Sequence, residues 1–112
     1  MKGTRVGELE ELILLCVGSL FDDAYGVAIQ SDLKNRCDRA LALSTVHVAL
    51  FRLEEKGFIE SRFDGATSER GGRRKRLYRV TKSGQRVLAD VRSIRNQLWD
   101  SIPRLAFQYG PH

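Results

Sequence analysis

The hydrophobic pattern changes its period near Phe58, and this change limits the possible folds most strongly. Before it, apolar side chains recur at the three- and four-residue spacing of amphipathic helices in residues 8–20, 25–37 and 44–56. After it, apolar and polar side chains alternate, as they do in half-buried strands, in residues 58–63 and 76–81. The polar, glycine-containing segment between these strands is expected to form the loop of a β-hairpin, called the wing below.

Capping residues set the expected limits of the later helices. Ser44 is expected to cap the third helix. Thr81 is expected to cap a fourth, which runs from Lys82 to near Ile102 and is broken by Pro103. The order helix–helix–helix–strand–basic loop–strand–helix is that of a winged helix-turn-helix. We therefore predict a mostly α protein with a small β-hairpin: a winged helix over residues 1–81, then a C-terminal dimerisation helix and tail over residues 82–112.

Length and composition are those of one globular domain, since the chain has 112 residues, of which 42% are hydrophobic and 29% charged. No apolar run approaches the ~20 residues that a membrane span needs. The N-terminus also lacks the apolar region of a secretory signal. We therefore expect a cytoplasmic protein whose two cysteines, Cys16 and Cys37, are reduced and structural.

The positive charge is concentrated in one quarter of the sequence. Residues 60–86 hold nine basic and three acidic side chains, a net charge of +6, whereas the rest of the chain holds ten basic and eleven acidic ones. Such asymmetry favours a polyanionic partner. The alternative is a solvated loop that binds nothing.

Four stretches together carry a family pattern: Tyr25-Gly26, Leu43-Ser44-Thr45-Val46, Leu50 to Ile59, and Tyr78 to Gly84. They resemble the PadR family of transcriptional regulators, over roughly residues 7–88, and the chain is similar to its short members with a single C-terminal helix. The sequence departs from the family at His47 and Val48, where tyrosine and proline are usual. The resemblance implies a homodimeric repressor that binds DNA through the N-terminal end of the third helix.

The third helix supplies the first candidate DNA contacts. A helical wheel puts Val46, Leu50 and Leu53 on one face, which we expect to meet the core. The residues expected to contact bases or phosphates are Ser44, Thr45, His47, Val48 and Arg52. Val48 and Thr45 could touch a thymine methyl group, whereas Arg52 could contact a guanine edge or a phosphate, or pair with an acid such as Glu55. The outward Phe51 is expected to contact the wing or a neighbouring helix rather than a base.

The second helix and the wing supply the others. The hydroxyl of Tyr25 could bind a phosphate at the start of the second helix, or the ring could simply pack against the first helix. The wing residues expected to bind phosphates or a narrow minor groove are Arg70, Arg73, Arg74, Lys75 and Arg76. Such contacts set affinity and position more than sequence preference.

The fourth helix carries an apolar seam that we expect to form a homodimer interface, with the first helix of the partner. The predicted interface residues are Leu9, Ile13, Val87, Val91, Ile94, Leu98 and Ile102. The alternative is that this helix folds back on its own domain. Trp99, beside the seam, could stack on a planar aromatic effector held between the subunits, or could be plain interface packing.

Enzyme motifs are absent from the sequence. It has no glycine-rich phosphate loop with its lysine, no CxxC pair and no HExxH, and its two histidines lie far from both cysteines. We therefore expect no catalytic residues, no metal and no cofactor. The expected partners are a palindromic double-stranded operator, a second copy of the chain and possible small-molecule effectors. Two alternatives stay open: a winged helix that binds protein or RNA, and a regulator without a small-molecule ligand.

Overall fold

A computed structural model describes residues 5–64 and 75–108. Its elements, in chain order, are α1 (Glu8–Leu20), a 3₁₀ turn (Phe21–Asp23), α2 (Gly26–Cys37), α3 (Leu43–Glu55), β1 (Ile59–Phe63), β2 (Arg76–Val80), α4 (Lys82–Ser101) and α5 (Arg104–Gln108). The two strands form one antiparallel sheet. This confirms the predicted winged helix-turn-helix with its additional C-terminal helix.

The core lies between the first three helices and is closed at one end by the hairpin. Its largest fully buried side chains come from Ile59 of β1 and from the apolar stripes of the three helices: Ile13, Leu14, Val17, Ile29, Leu33, Val46, Leu50 and Leu53. Burying each of these large side chains stabilises the fold by about 1.5 to 3 kcal/mol. The predicted inward face of α3 is thus confirmed. We predicted Ile13 at a dimer interface, but it is a core residue instead. Its side chain is fully buried with the apolar side chains of α2 and α3, so it cannot contact a second copy.

The hairpin is joined to the helices through its backbone. Ile59 pairs with Val80 at one end of the sheet and Phe63 with Arg76 at the other. The N–H of Tyr78 donates to the carbonyl oxygen of Ala24, 2.8 Å away, and Tyr25 forms a bridge with Leu77. The base of the wing is therefore fixed to the segment that leads into α2. The predicted wing residues Arg70, Arg73 and Arg74 lie outside the described residues.

The ends of α3 follow different rules. The helix begins at Leu43 with Ala42 at the N-cap, so the expected capping role of Ser44 is wrong. At its other end Gly57 adopts φ = 80°, and the N–H groups of Gly57 and Phe58 donate to the carbonyls of Glu54 and Leu53. This is the Schellman arrangement, in which a residue without a β-carbon takes the left-handed conformation.

Helix α4 contacts the core only near its beginning. The Thr81 hydroxyl accepts a hydrogen bond from the N–H of Gly84 at 3.1 Å, which confirms the predicted cap. Val87 and Leu88 are partly buried against the core, but the helix is exposed from Arg92 to its end. It ends before Pro103, as expected. Helix α5, which the sequence pattern did not reveal, follows; the predicted loose tail from Tyr109 lies outside the described residues.

Candidate nucleic-acid interface

The outer face of α3 is free of the core. Its exposed residues are Ser44, Thr45, His47, Val48, Phe51, Arg52 and Glu55. At 100° per residue they form a continuous strip opposite the buried side chains. One edge of this strip faces the base of the wing, and the other faces the N-terminal turn of α1. All five residues that we predicted on this helix therefore reach the surface.

His47 lies directly over the first turn of α2. A β-carbon built on Gly26 would lie 2.5 Å from the imidazole Nε2, so any larger residue there would displace the exposed His47 ring. Gly26 thus leaves room for the His47 ring in this position. His47 itself is exposed. It lies beside the N-terminal end of α2, where free backbone N–H groups favour an anion.

Tyr25 is joined to the base of the wing. It occupies the N-cap position of α2 without a side-chain cap, and its ring lies 4.0 Å below the Nζ of Lys75. This cation–π contact holds a lysine ammonium at the start of α2. The two predicted phosphate ligands Tyr25 and Lys75 are therefore brought together.

Arg76 forms contacts within the protein that the sequence did not predict. Its guanidinium donates to Glu54 of α3 at 3.3 Å and to the hydroxyl of Ser61 in β1 at 3.1 Å. The Ser61 hydroxyl in turn donates to Glu54 at 2.7 Å. The guanidinium also lies 5.4 Å from the ring centre of Phe63. This cluster, Glu54–Ser61–Arg76, attaches the base of the wing to α3 and uses Nε and Nη2 of Arg76, while Nη1 of the half-exposed guanidinium makes none of these bonds.

Between these groups lies an open cavity of about 450 Å³, bounded by α2, α3 and the base of the wing. Its walls combine aromatic rings with cations: Tyr25, Phe51, Tyr78, His47, Lys75 and Arg76. Phe51 lines this cavity but remains mostly exposed, and it forms no ring–ring pair within the described part of the chain. Phe51 thus shares a cavity wall with α2 and the base of the wing, on the side where a contact was expected.

Arg52 stands on the other edge of α3, beside the N-terminal turn of α1. Within residues 5–64 and 75–108 its guanidinium forms no salt bridge, with Glu55 or with another acid, although its charge is close enough to Glu10 to help lower the pKa of that carboxyl. Of the two roles considered for Arg52, the salt bridge is therefore not formed, and the cation is exposed beside Thr45 and Val48.

The far half of α4 and all of α5 present apolar side chains to solvent. Leu98 is 63% exposed and Trp99 67%, and Ile94 and Ile102 are exposed beside them. Trp99 meets Phe107 of α5 with ring centres 6.0 Å apart. Leu9 and Val87 are partly buried against their own core, and Val91 is half-buried. The exposed part of the predicted seam is thus its C-terminal part.

Other chemistry finds little support among the described residues. No group of three or more His, Cys, Asp or Glu side chains there is placed to hold a metal ion. Both cysteines are free, and burial raises the pKa of the Cys16 thiol to about 12, helped by its hydrogen bond to Asp32. A thiol with so high a pKa is a poor nucleophile. Among the same residues, no helix combines the length and the apolar character of a bilayer span.

The family model for the transcriptional regulator PadR-like family matches residues 13–90, well over half of the chain. The chain belongs to the PadR-like family. Its fold is similar to that of a PadR family transcription regulator from Clostridium difficile R20291, with 31% identity, a TM-score of 0.66, and 92% of this chain and 98% of that one covered. No curated protein matches the chain.

Two further structures place it within this family's fold. A PadR-like transcription factor from Bacteroides fragilis superimposes with a TM-score of 0.71 at 22% identity, over 83% of this chain and 84% of that one. Bacillus subtilis PadR, solved in complex with operator DNA, matches at 26% identity with a TM-score of 0.61. That match covers 74% of this chain and 45% of the longer relative.

Sequence reasoning missed several contacts of this PadR-like interface. The contact of His47 with Gly26 and the Glu54–Ser61–Arg76 cluster join elements that lie far apart in the sequence. The pairing of Arg79 with Asp22, at 2.7 Å, was missed for the same reason. The one available signal was Tyr25-Gly26, because a glycine in the first turn of a helix often marks close approach of another group.

Proposed function

We propose that the protein is a homodimeric, sequence-specific DNA-binding repressor that acts in the cytoplasm. The observation that carries this proposal is the outer face of α3. It exposes a continuous strip of side chains beside Lys75 and Arg76, at the base of the wing. The packing of the hydrophobic core requires neither this exposed strip nor the concentration of positive charge in residues 60–86. The relative from Bacillus subtilis, solved with operator DNA, supports the same use of the fold.

In the proposed complex α3 lies in the major groove. Ser44, Thr45, Val48 and Arg52 contact base edges, and His47 lies at the boundary between bases and backbone. Tyr25 and Lys75, already in contact, bind a phosphate at the start of α2. The phosphate-binding wing residues proposed here from the sequence are Arg70, Arg73 and Arg74. Arg76 has the different role of holding the wing against α3.

The dimer interface is proposed on residues 82–112, through Val91, Ile94, Leu98 and Ile102, with Leu9 of α1 and Val87 at its border. These exposed apolar side chains are adjacent to one another rather than scattered singly over the surface, and the apolar surface continues into α5. A two-fold axis would present two copies of α3 to a palindromic operator. Binding would then repress transcription by covering the promoter.

An aromatic effector is proposed at Trp99. Its exposed ring faces Phe107, and two such faces meeting in a dimer would enclose a site for a planar aromatic compound. Binding there would shift the angle between the two DNA-binding units. Because Trp99 is the one tryptophan of the chain, its fluorescence reports such binding directly. A Trp99→Ala variant that still dimerises, binds DNA and responds fully to the compound would contradict this assignment.

The test of the main proposal is fluorescence anisotropy on the protein's own upstream promoter DNA and on a scrambled duplex, across a salt series. A specific regulator should prefer its site by ~10³-fold or more, and log affinity should fall with log salt by about 0.9 for each phosphate contacted. A steep salt dependence with equal affinity for the two duplexes would mean that the protein binds DNA but that its operator lies in another promoter. No binding to duplex DNA at low salt would contradict the proposal and favour a protein- or RNA-binding module.

A further inference from the structure

Two apolar side chains stand on the outermost surface of α3. Val48 is 51% exposed and Phe51 is 63% exposed, and neither belongs to the hydrophobic core cluster. They are three residues apart, so they are neighbours on one side of the helix. Ser44 precedes them one turn earlier, and Arg52 lies beside them. The middle of the proposed DNA-reading strip therefore carries two apolar side chains, between Ser44 and Glu55.

The chemistry of the major groove decides what such a pair can recognise. The base edges there present hydrogen-bond donors and acceptors, and the one apolar group is the C5-methyl of thymine. An apolar side chain pressed against a donor or acceptor removes water from it and offers nothing in return, which is costly. The same side chain against a thymine methyl group buries apolar surface on both sides.

On this basis, and resting on the proposed function, we infer that Val48 and Phe51 read thymine methyl groups on neighbouring base pairs of each half-site. Three residues of helix advance about 4.5 Å along its axis. One base pair advances about 3.4 Å along the duplex. The two side chains are thus spaced for adjacent steps when α3 lies along the groove, while Arg52 and Lys75 supply the charge that holds the helix there.

The experiment removes single methyl groups from DNA. The full-length protein first enriches its binding site from a random duplex library, and each thymine of that site is then replaced in turn by deoxyuridine. This change deletes the C5-methyl and leaves base pairing and the O4 acceptor intact. We expect about fourfold weaker binding, the effect of one buried methyl group, at two neighbouring positions per half-site. Val48→Ala should abolish the loss at one position, and Phe51→Ala at the other.

The matched control is Val27→Ala, which truncates another half-exposed valine, on α2. It should keep the thymine-to-deoxyuridine ratio of the parent protein at every position. All substituted thymines binding equally well would overturn the inference and leave the proposed function standing. A methyl effect that persists in both Val48→Ala and Phe51→Ala would also overturn it, because another side chain would then be the reader. Failure to enrich any sequence would overturn both the inference and the proposed function.

Discussion

Two helical glycines differ sharply in what surrounds them. A β-carbon on Gly84, in the first turn of α4, would collide with the backbone carbonyl oxygen of Phe58, which cannot move without distorting the hairpin. A β-carbon on Gly18, in α1, would meet only Val80 Cγ2 at 3.6 Å, an ordinary contact. Gly84 is therefore needed so that α4 can start against Phe58, at the end of the hairpin opposite the wing, whereas Gly18 only loosens its helix.

We expect Gly84→Ala to destabilise the protein by about 1 to 3 kcal/mol, the usual cost of forcing atoms into a packed site. Gly18→Ala is the matched control and should stabilise it by up to about 1 kcal/mol, because alanine is the better helix former. Urea unfolding followed by circular dichroism measures both changes. Equal effects of the two substitutions would contradict the close packing of α4 on Phe58.

Glu10 gives a pH-dependent contribution to stability. Burial alone would raise the pKa of this carboxyl, but hydrogen bonds from Lys56 Nζ at 2.7 Å and from the N–H of Gly7 bring it below its ordinary value. The folded state therefore binds this proton less readily than the unfolded state. Its stabilisation is complete above the unfolded pKa near 4.3 and is lost as the pH falls through the folded pKa.

The Glu10→Gln variant should be less stable than the parent by about 0.5 to 1 kcal/mol at pH 7. The difference should shrink as the pH falls below about 4 and vanish near pH 2. Thermal unfolding of both proteins across this range measures it. Lys56→Met should lose most of the same increment, since it removes the donor. A difference that stays constant with pH would show that the carboxylate charge is not involved.

At the scale of elements, the hydrophobic period predicted the helices and strands whose apolar side chains form the core. Helix α1 begins and ends at the predicted residues, Glu8 and Leu20, because its apolar stripe and its packing coincide. The start of α3 was missed by two residues, because the observed N-cap is Ala42, whose side chain cannot cap a helix, rather than Ser44, whose side chain can. Helix α5 has five residues, too few for a periodic pattern to be detected.

Side-chain contacts between different elements could not be predicted from the sequence. Arg76 lies 22 residues from Glu54, and only the register of the hairpin brings them together. Among basic neighbours, nothing in the sequence distinguishes a cation that pairs within the protein from one that is left for a phosphate. The exposed strip of α3 was predictable because it is the complement of the core face, which is a property of one helix alone.

Lys75 and Arg76 should therefore behave differently in DNA binding. On any duplex that the protein binds, Lys75→Gln should lower the slope of log affinity against log salt by about 0.9, the effect of one lost phosphate contact. Arg76→Gln should weaken binding with an unchanged slope, because it loosens the wing from α3 without removing a phosphate contact. Anisotropy titrations over a salt series measure both. A slope that falls by the same amount in Arg76→Gln would mean that Arg76 leaves Glu54 and binds the phosphate itself.

The whole molecule is elongated, with extents of 61 × 32 × 21 Å and a radius of gyration of 17.1 Å. A compact domain of this length would have a radius near 13 Å. The excess comes from the far part of α4, which extends beyond the three-helix core and carries exposed Ile94, Leu98 and Trp99. A single chain leaves this apolar surface in water, whereas a second copy would bury it and fix the distance between the two recognition helices.

Leu98→Asp should therefore convert a dimer into a monomer of 12.7 kDa, measured by light scattering during size-exclusion chromatography. The introduced carboxylate would have to be buried without a partner in the dimer, a cost that exceeds the gain from the remaining apolar contacts. Gln85→Asp, at an exposed position near the start of α4, is the matched control and should remain dimeric. The monomer should keep its helical content, because Leu98 contributes nothing to the core, but should bind a palindromic site no better than one half-site. A parent protein that is monomeric at micromolar concentration would contradict both the interface and the two-fold reading of the operator.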